Sequence, residues 1–306
     1  MANTTYSNFF LSNEVEDQYN SHLDLQQFCT VDNSLTGTAG MTRKIHVYKA
    51  TSGTEKLTKG QGNTKSIEAS FTEKEYTILL AQNRFDYYDE EAMTDPMIVT
   101  TGMGFAGTDI FNTENADIYA AYKSAKMAFV TSSLGFDAFV DAAAMMNLEN
   151  LEDAGIFGFV NPADMAKVRK ALKDDLKYVE AFAKNGYVGT VGGINIYAKK
   201  DADTGKVTIA TKKAVTLFNK KGTEIEQERD GNTRKNTIFT RKYYFAAMTN
   251  ETKAVMIFTG TAAVSEDTSV TAGKDYYTKS GLGYLKVTPA SGDSPKTKGW
   301  YEITVS

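Results

Sequence analysis

The stretch KIHVYKATSGTEKLTKGQGNTKSIEASF, residues 44–71, decides the fold. Lys44-Ile45-His46-Val47-Tyr48 alternates apolar and polar side chains at the period of a β-strand, and so does Ser66-Ile67-Glu68-Ala69-Ser70-Phe71. Between them runs a polar, glycine-bearing segment whose one large apolar side chain is Leu57. The pattern predicts a long β-hairpin over 44–80 whose tip has nothing to bury against its own chain. A projecting loop of about 18 residues is uncommon inside a compact domain and is usually functional. Such a tip gains order by lying on another molecule.

On the N-terminal side, residues 1–40 are polar and acidic, and predict an extended arm with a short helix near Val15–Phe28. Residues 1–42 contain no Lys or Arg but carry Glu14, Glu16, Asp17, Asp24 and Asp32. Residues 43–75 then carry seven basic groups against four acids, residues 83–117 eight acids against Arg84, and residues 199–221 seven bases against two acids. Such blocks are either ordinary surface scatter or complementary patches that meet on neighbouring copies.

On the C-terminal side, Met97-Ile98-Val99-Thr100-Thr101 predicts a short strand ahead of a glycine turn, and Thr108–Ser132 a long helix. Ile118, Tyr122, Ala125 and Phe129 make its apolar stripe. A second helix is expected over Phe136–Met146. Gly155–Val160 reads as a buried strand, and Asn161-Pro162 starts a helix carrying Met165, Val168, Leu172, Leu176, Val179 and Phe182. Short strands follow at Val188–Val191, Ile194–Ala198, Lys206–Ala210, Ala214–Phe218, Thr237–Phe245 and Lys253–Phe258, so 134–258 reads as mixed α/β. Near Thr259–Ala263 the composition shifts, and residues 264–306 read as a small β module with Tyr276, Tyr277, Tyr284, Trp300 and Tyr301 between glycine and proline turns.

The 306-residue chain is globular in composition: 42% hydrophobic, 24% charged, with 34 basic and 38 acidic residues for a net charge of −4. The acidic balance argues against a dedicated nucleic-acid reader. One cysteine, Cys29, excludes an internal disulfide. The N-terminus has no secretory pattern, and no apolar run approaches the roughly 18 residues needed to cross a bilayer.

No constellation for chemistry survives inspection. Gly102-Met103-Gly104-Phe105-Ala106-Gly107 spells the dinucleotide fingerprint, but no strand ending in an acid follows about 20 residues on. Asp201-Ala202-Asp203-Thr204-Gly205 starts like a calcium loop, yet its sixth and twelfth positions are Lys206 and Lys212. Cys29 has His22 and His46 near it in sequence only. Asp89-Glu90-Glu91 reads as a solvated acidic face. The segment Thr223–Asp230 reads as a charged strand edge, and Tyr243-Tyr244-Phe245, beside Arg241 and Lys242, alternates along a strand as core does. The expectation is a protein with no catalytic residues, no cofactor and no metal.

The order of parts, together with Tyr88–Pro96, Phe159-Val160-Asn161-Pro162-Ala163-Asp164, Gly186–Gly193 and the Glu226–Tyr244 region, resembles the major capsid proteins of tailed bacteriophages, the Hong Kong ninety-seven fold. The resemblance covers residues 1–258 and implies an α+β capsid fold. Its parts would be an N-terminal arm (1–40), an extended loop and peripheral domain with a spine helix (41–133), an axial domain (134–260) and a small appended all-β module (261–306). It implies hexamers and pentamers closing into an icosahedral shell around double-stranded DNA in the virion, assembled in the bacterial host cytoplasm with a portal and a decoration protein. Some relatives carry a charged helical scaffold segment of about a hundred residues. The given sequence shows none ahead of the arm, so the expectation is a separate scaffolding protein, favoured by Met1, with removal of such a segment as the alternative. Relatives that cross-link use a lysine on the loop, and Lys56, Lys59 and Lys65 lie there, with no partner assignable. The module's aromatics are expected foremost to form a small core of its own, the alternatives being a decoration on the outer surface or a glycan-binding face. The competing reading is a phage tail or surface binding protein with a carbohydrate-binding C-terminal module.

Overall fold

The computed structural model describes residues 23–37, 40–50, 52–148, 155–173 and 189–305. Most of the helix expected near Val15–Phe28, and the Leu176–Val188 part of the predicted α/β region, lie outside these residues. The chain enters through a 3-10 turn, Leu25–Phe28, capped by the Asp24 carboxylate, and a short strand β1 (Thr30–Asp32). The predicted hairpin is β2 (Thr42–Ala50) and β3 (Ala69–Thr77), antiparallel in unbroken register from Thr42↔Thr77 to Ala50↔Ala69. Its second strand starts later than Ser66, and among the described residues the two strands pair with no other strand.

Next come β4 (Leu79–Tyr88), a short helix α1 (Asp89–Thr94) and the long helix α2 (Met97–Lys123). Here the structure overturns two expectations. Met97–Thr101 is helix, not strand, and the helix ends at Lys123, so Ala125 follows it and Phe129 sits in strand β5 (Met127–Thr131). The β-branched run loses to packing: Gly102, Ala106 and Ile110, spaced by four, form the face that buries against the sheet.

Helix α3 (Phe136–Met145) and strand β6 (Ile156–Val160) follow the predicted pattern. Helix α4 (Pro162–Ala171) begins as its sequence dictates: the Asn161 side chain accepts from Ala163 N at 2.9 Å and Pro162 fills the first turn. The remaining strands are β7 (Thr190–Val191), β8 (Ile194–Ala198), β9 (Lys206–Thr211), β10 (Val215–Asp230), β11 (Lys235–Met248), β12 (Ala254–Val264), β13 (Tyr277–Ser280), β14 (Gly283–Lys286) and, after the one-turn helix α5 (Pro295–Lys298), β15 (Tyr301–Val305). Strands β10 and β11 run further than predicted because they pair with each other to Asp230↔Lys235, beyond the apolar residues that mark their starts.

Two sheets organise the body. One has the order β1-β10-β11-β4 and carries α2 on one face, with Tyr122, Ile118, Leu217, Val215 and Leu25 in the core between them. The other has the order β15-β13-β14-β5-β12-β9-β6-β8-β7, and its second core joins Phe139, Val160, Met165, Ile194, Ile209 and Ile257. An additional pairing of β12 with β15 closes one end of this sheet into a ring of β5, β12, β15, β13 and β14. Ala128, Met256, Phe258 and Tyr277 pack together in this region.

Candidate assembly surfaces

The hairpin is anchored at its root. Tyr76 stacks on Phe218 at 5.7 Å between ring centroids, and Lys74 meets Glu251 at 2.8 Å. Glu251 also takes Lys126 at 2.9 Å. Burial raises its pKa, but these two ammonium groups outweigh burial and hold it below the usual range. Beyond the root, Phe71, Ile67 and Leu57 are exposed, Ile67 by 66%. Within the tip, Asn63 Nδ2 donates to Gly53 O, and Thr64 N to Glu55. An ordered finger with exposed apolar side chains and a cross-linked root is built to be covered by another surface.

The N-terminal segment behaves differently from the expected free arm. From Leu23 onward it packs on its own chain. Leu25 and Cys29 are fully buried, Leu25 N donates to Asn115 Oδ1 at 3.0 Å, and Tyr122 OH donates to Phe28 O at 2.6 Å. Gln26 Nε2 and Lys242 Nζ both donate to Glu114 Oε2, at 2.9 and 2.5 Å. The apolar spacing Leu23, Leu25, Phe28 and Cys29 was the sequence signal for this, masked by the polar residues around it. Residues 1–22 lie outside the described residues.

The sequence motifs resolve into structure. Gly102–Gly107 lies inside α2, where its backbone N–H groups belong to the helix and none is free for a phosphate. Gly102 is required there because a Cβ would run into the Phe85 ring, whereas Gly104 faces open space. Asp203 pairs with Lys123 and Lys206, and Gly205 N donates to the buried Asp164 at 2.5 Å. Among the described residues no cluster of His, Cys, Asp or Glu is arranged to hold a metal. Cys29 Sγ approaches Gln26 O at 3.5 Å, and burial, with Glu114 next, pushes the thiol up to about 11. His22 lies outside the described residues.

Much of the charge patterning is answered within the chain. Asp89 takes Arg229 at 2.8 Å, Glu90 takes Arg234 at 3.0 Å, and Asp86 takes Lys235 at 2.9 Å. Hydrogen bonds from Arg229 and Asn236 hold the Asp89 carboxyl below its ordinary range. Three of the eight acids in 83–117 are thus answered around the β10–β11 turn. In the aromatic run Tyr244 is buried and donates to Asp117 at 2.7 Å, while Lys242 turns to Glu114.

At the C-terminus the aromatics are core. Trp300 and Tyr276 are buried with ring centroids 5.9 Å apart, and Tyr276 OH donates to Asp267 at 2.6 Å. A sugar platform needs exposed ring faces, and these two offer none. The strands of this region are also continuous with the main sheet: β14 pairs with β5, and β15 with β12. The predicted break at Thr259–Ala263 falls inside β12.

No family model matches the chain. It is similar to the major capsid protein of Staphylococcus phage phiMR11, with 24% identity over 266 residues, 82% of this chain and 92% of that protein. The capsid chain of cyanophage P-SCSP1u superposes with a TM-score of 0.62 at 15% identity, over 84% of this chain and 91% of its own. A chain of Mycobacterium phage Che8 gives 0.60 at 16% identity, over 74% and 88%. This chain has the major capsid fold of tailed bacteriophages.

Proposed function

We propose that this chain is the major structural protein of a phage head, assembling as hexamers and pentamers into an icosahedral shell around double-stranded DNA in the virion. The observation that carries the reading is the β2–β3 finger, which among the described residues pairs with no other strand and exposes Phe71, Ile67 and Leu57. Many modest contacts between such surfaces add up when every subunit repeats them. The mild net charge of −4 suits an inner wall that touches DNA non-specifically and releases it. The shell reading includes a separate scaffolding protein, a portal, a decoration protein and assembly in the host cytoplasm. It assigns the chain no catalysis, cofactor or metal.

The domain division belongs to this proposal: arm 1–40, loop and peripheral domain 41–133, axial domain 134–260 and C-terminal module 261–306. Two exchanges modify it. Residues 215–248 complete the sheet under the spine helix, and the C-terminal strands complete the ring on β5 and β12. The buried Trp300 removes the feature that favoured a glycan-binding tail protein.

The test is co-expression with the neighbouring phage genes and negative-stain microscopy. Closed shells are expected from the full chain, and deletion of 53–66 is expected to leave folded subunits that form none. A monomer under every co-expression condition overturns the reading.

A further inference from the structure

The Gly102–Gly107 stretch sits near the middle of α2, and the two halves of that helix are held very differently. From Ile110 to Lys123 the helix buries seven residues, of which Ile118, Tyr119, Ala121 and Tyr122 belong to the core against the sheet. Over residues 97–109 only Gly102 and Ala106 are buried, so the one buried side chain of that half is a methyl group. Met97 and Phe105 lie exposed there. The local sequence is also poor for a helix. Ile98-Val99-Thr100-Thr101 is a β-branched run, and Gly102, Gly104 and Gly107 follow within six residues. Packing against Phe85 requires Gly102, but Gly104 faces open space. Gly104 therefore keeps the conformational cost of glycine without a steric reason for it.

Two side chains reach the helix carbonyls at this point. Thr108 Oγ1 donates to Gly104 O at 2.9 Å, and Asn83 Nδ2 donates to Ala106 O at 2.7 Å. A side chain entering the carbonyl ladder, and a threonine bonding back one turn, both favour a bend. The parts on either side are anchored. Tyr122 OH bonds Phe28 O, and Glu114 takes Lys242, which fixes the second half to the core. Asp89 takes Arg229 and Glu90 takes Arg234, which fixes α1 to the β10–β11 turn. We propose that Met97–Gly107 is a yielding link, a stretch of helix that opens locally and lets α1 and the β10–β11 turn shift as a unit relative to the core. A segment with little buried surface between two anchored parts is where local opening takes least free energy. In the shell proposed above, such a link lets one chain fit sites of different curvature. That consequence rests on the shell reading, and the link itself does not.

Hydrogen exchange on the dispersed full-length chain tests it. Amides of 102–107, which lie inside the helix and past its unbonded first turn, are expected to exchange at least a hundredfold faster than those of 114–122. Gly104→Ala is expected to slow exchange of 102–107 by about three- to fivefold and to leave 114–122 unchanged. Similar rates in the two halves, or no response to Gly104→Ala, overturn the proposal. A distance measurement gives an independent reading. Met93 and Ala116 are exposed on the two sides of the link, and Cys29 is buried and stays unlabelled. Spin labels on Met93→Cys and Ala116→Cys are expected to give a broad distance distribution that narrows when Gly104→Ala is added. A single narrow distance with or without Gly104→Ala overturns the link. Both measurements use the unassembled subunit, so they are decided apart from whether microscopy shows shells.

Discussion

The Lys242 ammonium lies 2.5 Å from the Glu114 carboxylate, with the two side chains 12% and 3% exposed. The pair ties strand β11 to the spine helix, and Gln26 adds the N-terminal segment to the same carboxylate. Breaking a buried pair leaves a charge without compensation, which costs about 3–5 kcal/mol. Glu114→Ala is expected to destabilise by that amount in urea unfolding. Replacing both partners, Glu114→Leu with Lys242→Met, is expected to recover most of the loss, and Gln26 then becomes the residual unmatched donor.

The two glycines of the G-x-G half-motif are expected to respond in opposite directions. Gly102→Ala drives a methyl into the Phe85 ring, and overpacking of this kind costs about 1–3 kcal/mol. Gly104→Ala meets open space within the helix and is expected to stabilise by up to about 1 kcal/mol. Thermal melts of the two variants check the contrast. A melting shift on adding a dinucleotide would contradict the helical reading of this stretch.

Alkaline pH is expected to weaken the fold. Burial raises Cys29 to about 11, and Tyr119 and Tyr277 to about 12 each, from ordinary values of 9.0 and 10.0. Above pH 9 the unfolded chain begins to lose these protons while the folded chain keeps them. The unfolded state then binds fewer protons, and stability falls with rising pH until the folded values are passed. Urea midpoints at pH 8, 9.5 and 10.5 are expected to decline in that order, and a flat profile contradicts the burial of these groups.

Acid has a local effect at the finger. The Glu251 carboxyl is held low by Lys74 and Lys126 against its burial. Its contribution is present above the unfolded value of 4.5 and is lost as pH falls through the lower folded value. The pairs are partly exposed, so Glu251→Gln is expected to cost no more than about 1 kcal/mol globally. Hydrogen exchange at β2–β3 is expected to rise in this variant while that of β9 and β12 stays unchanged.

The C-terminal strands are expected to be indispensable. Gly260 lies against the Thr304 backbone where β12 pairs with β15, and a Cβ there would enter that carbonyl. Gly260→Val is expected to detach β15, and truncation after Val264 to uncover Met256, Phe258 and the free edge of β5. Both variants are expected to aggregate on expression, measured as soluble fraction, whereas removal of an independent module would leave a soluble body.

Several features were legible because they are local. Period-two alternation gives the β2–β3 hairpin, the Asn161-Pro162 cap starts α4 one residue past β6, and the polar tip with Leu57 alone announces an unpartnered finger. Each depends on residues within a few positions of one another. The missed features depend on distant ones. Met97–Thr101 has strand chemistry and becomes helix because Phe85 and the sheet below accept its Gly102-Ala106-Ile110 face. Leu25 and Phe28 look like parts of a free arm and pack on the body because Asn115 and Tyr122, some ninety residues on, bind their backbone.

The sequence by itself determined the finger, the capping of the helices and the mild acidity, since alternation, caps and composition act through the residues themselves and their neighbours in the chain. The tertiary structure alone decided that Gly102–Gly107 lies within a helix, that residues 215–248 return to pair with β4, and that the last strand closes a ring with β12. Those outcomes depend on which surfaces meet between separate segments of the chain, as Gly102 meets Phe85, Gly260 meets Val305 and Lys235 meets Tyr88. That choice follows from shape and burial summed over the whole core, and no short window of sequence contains it.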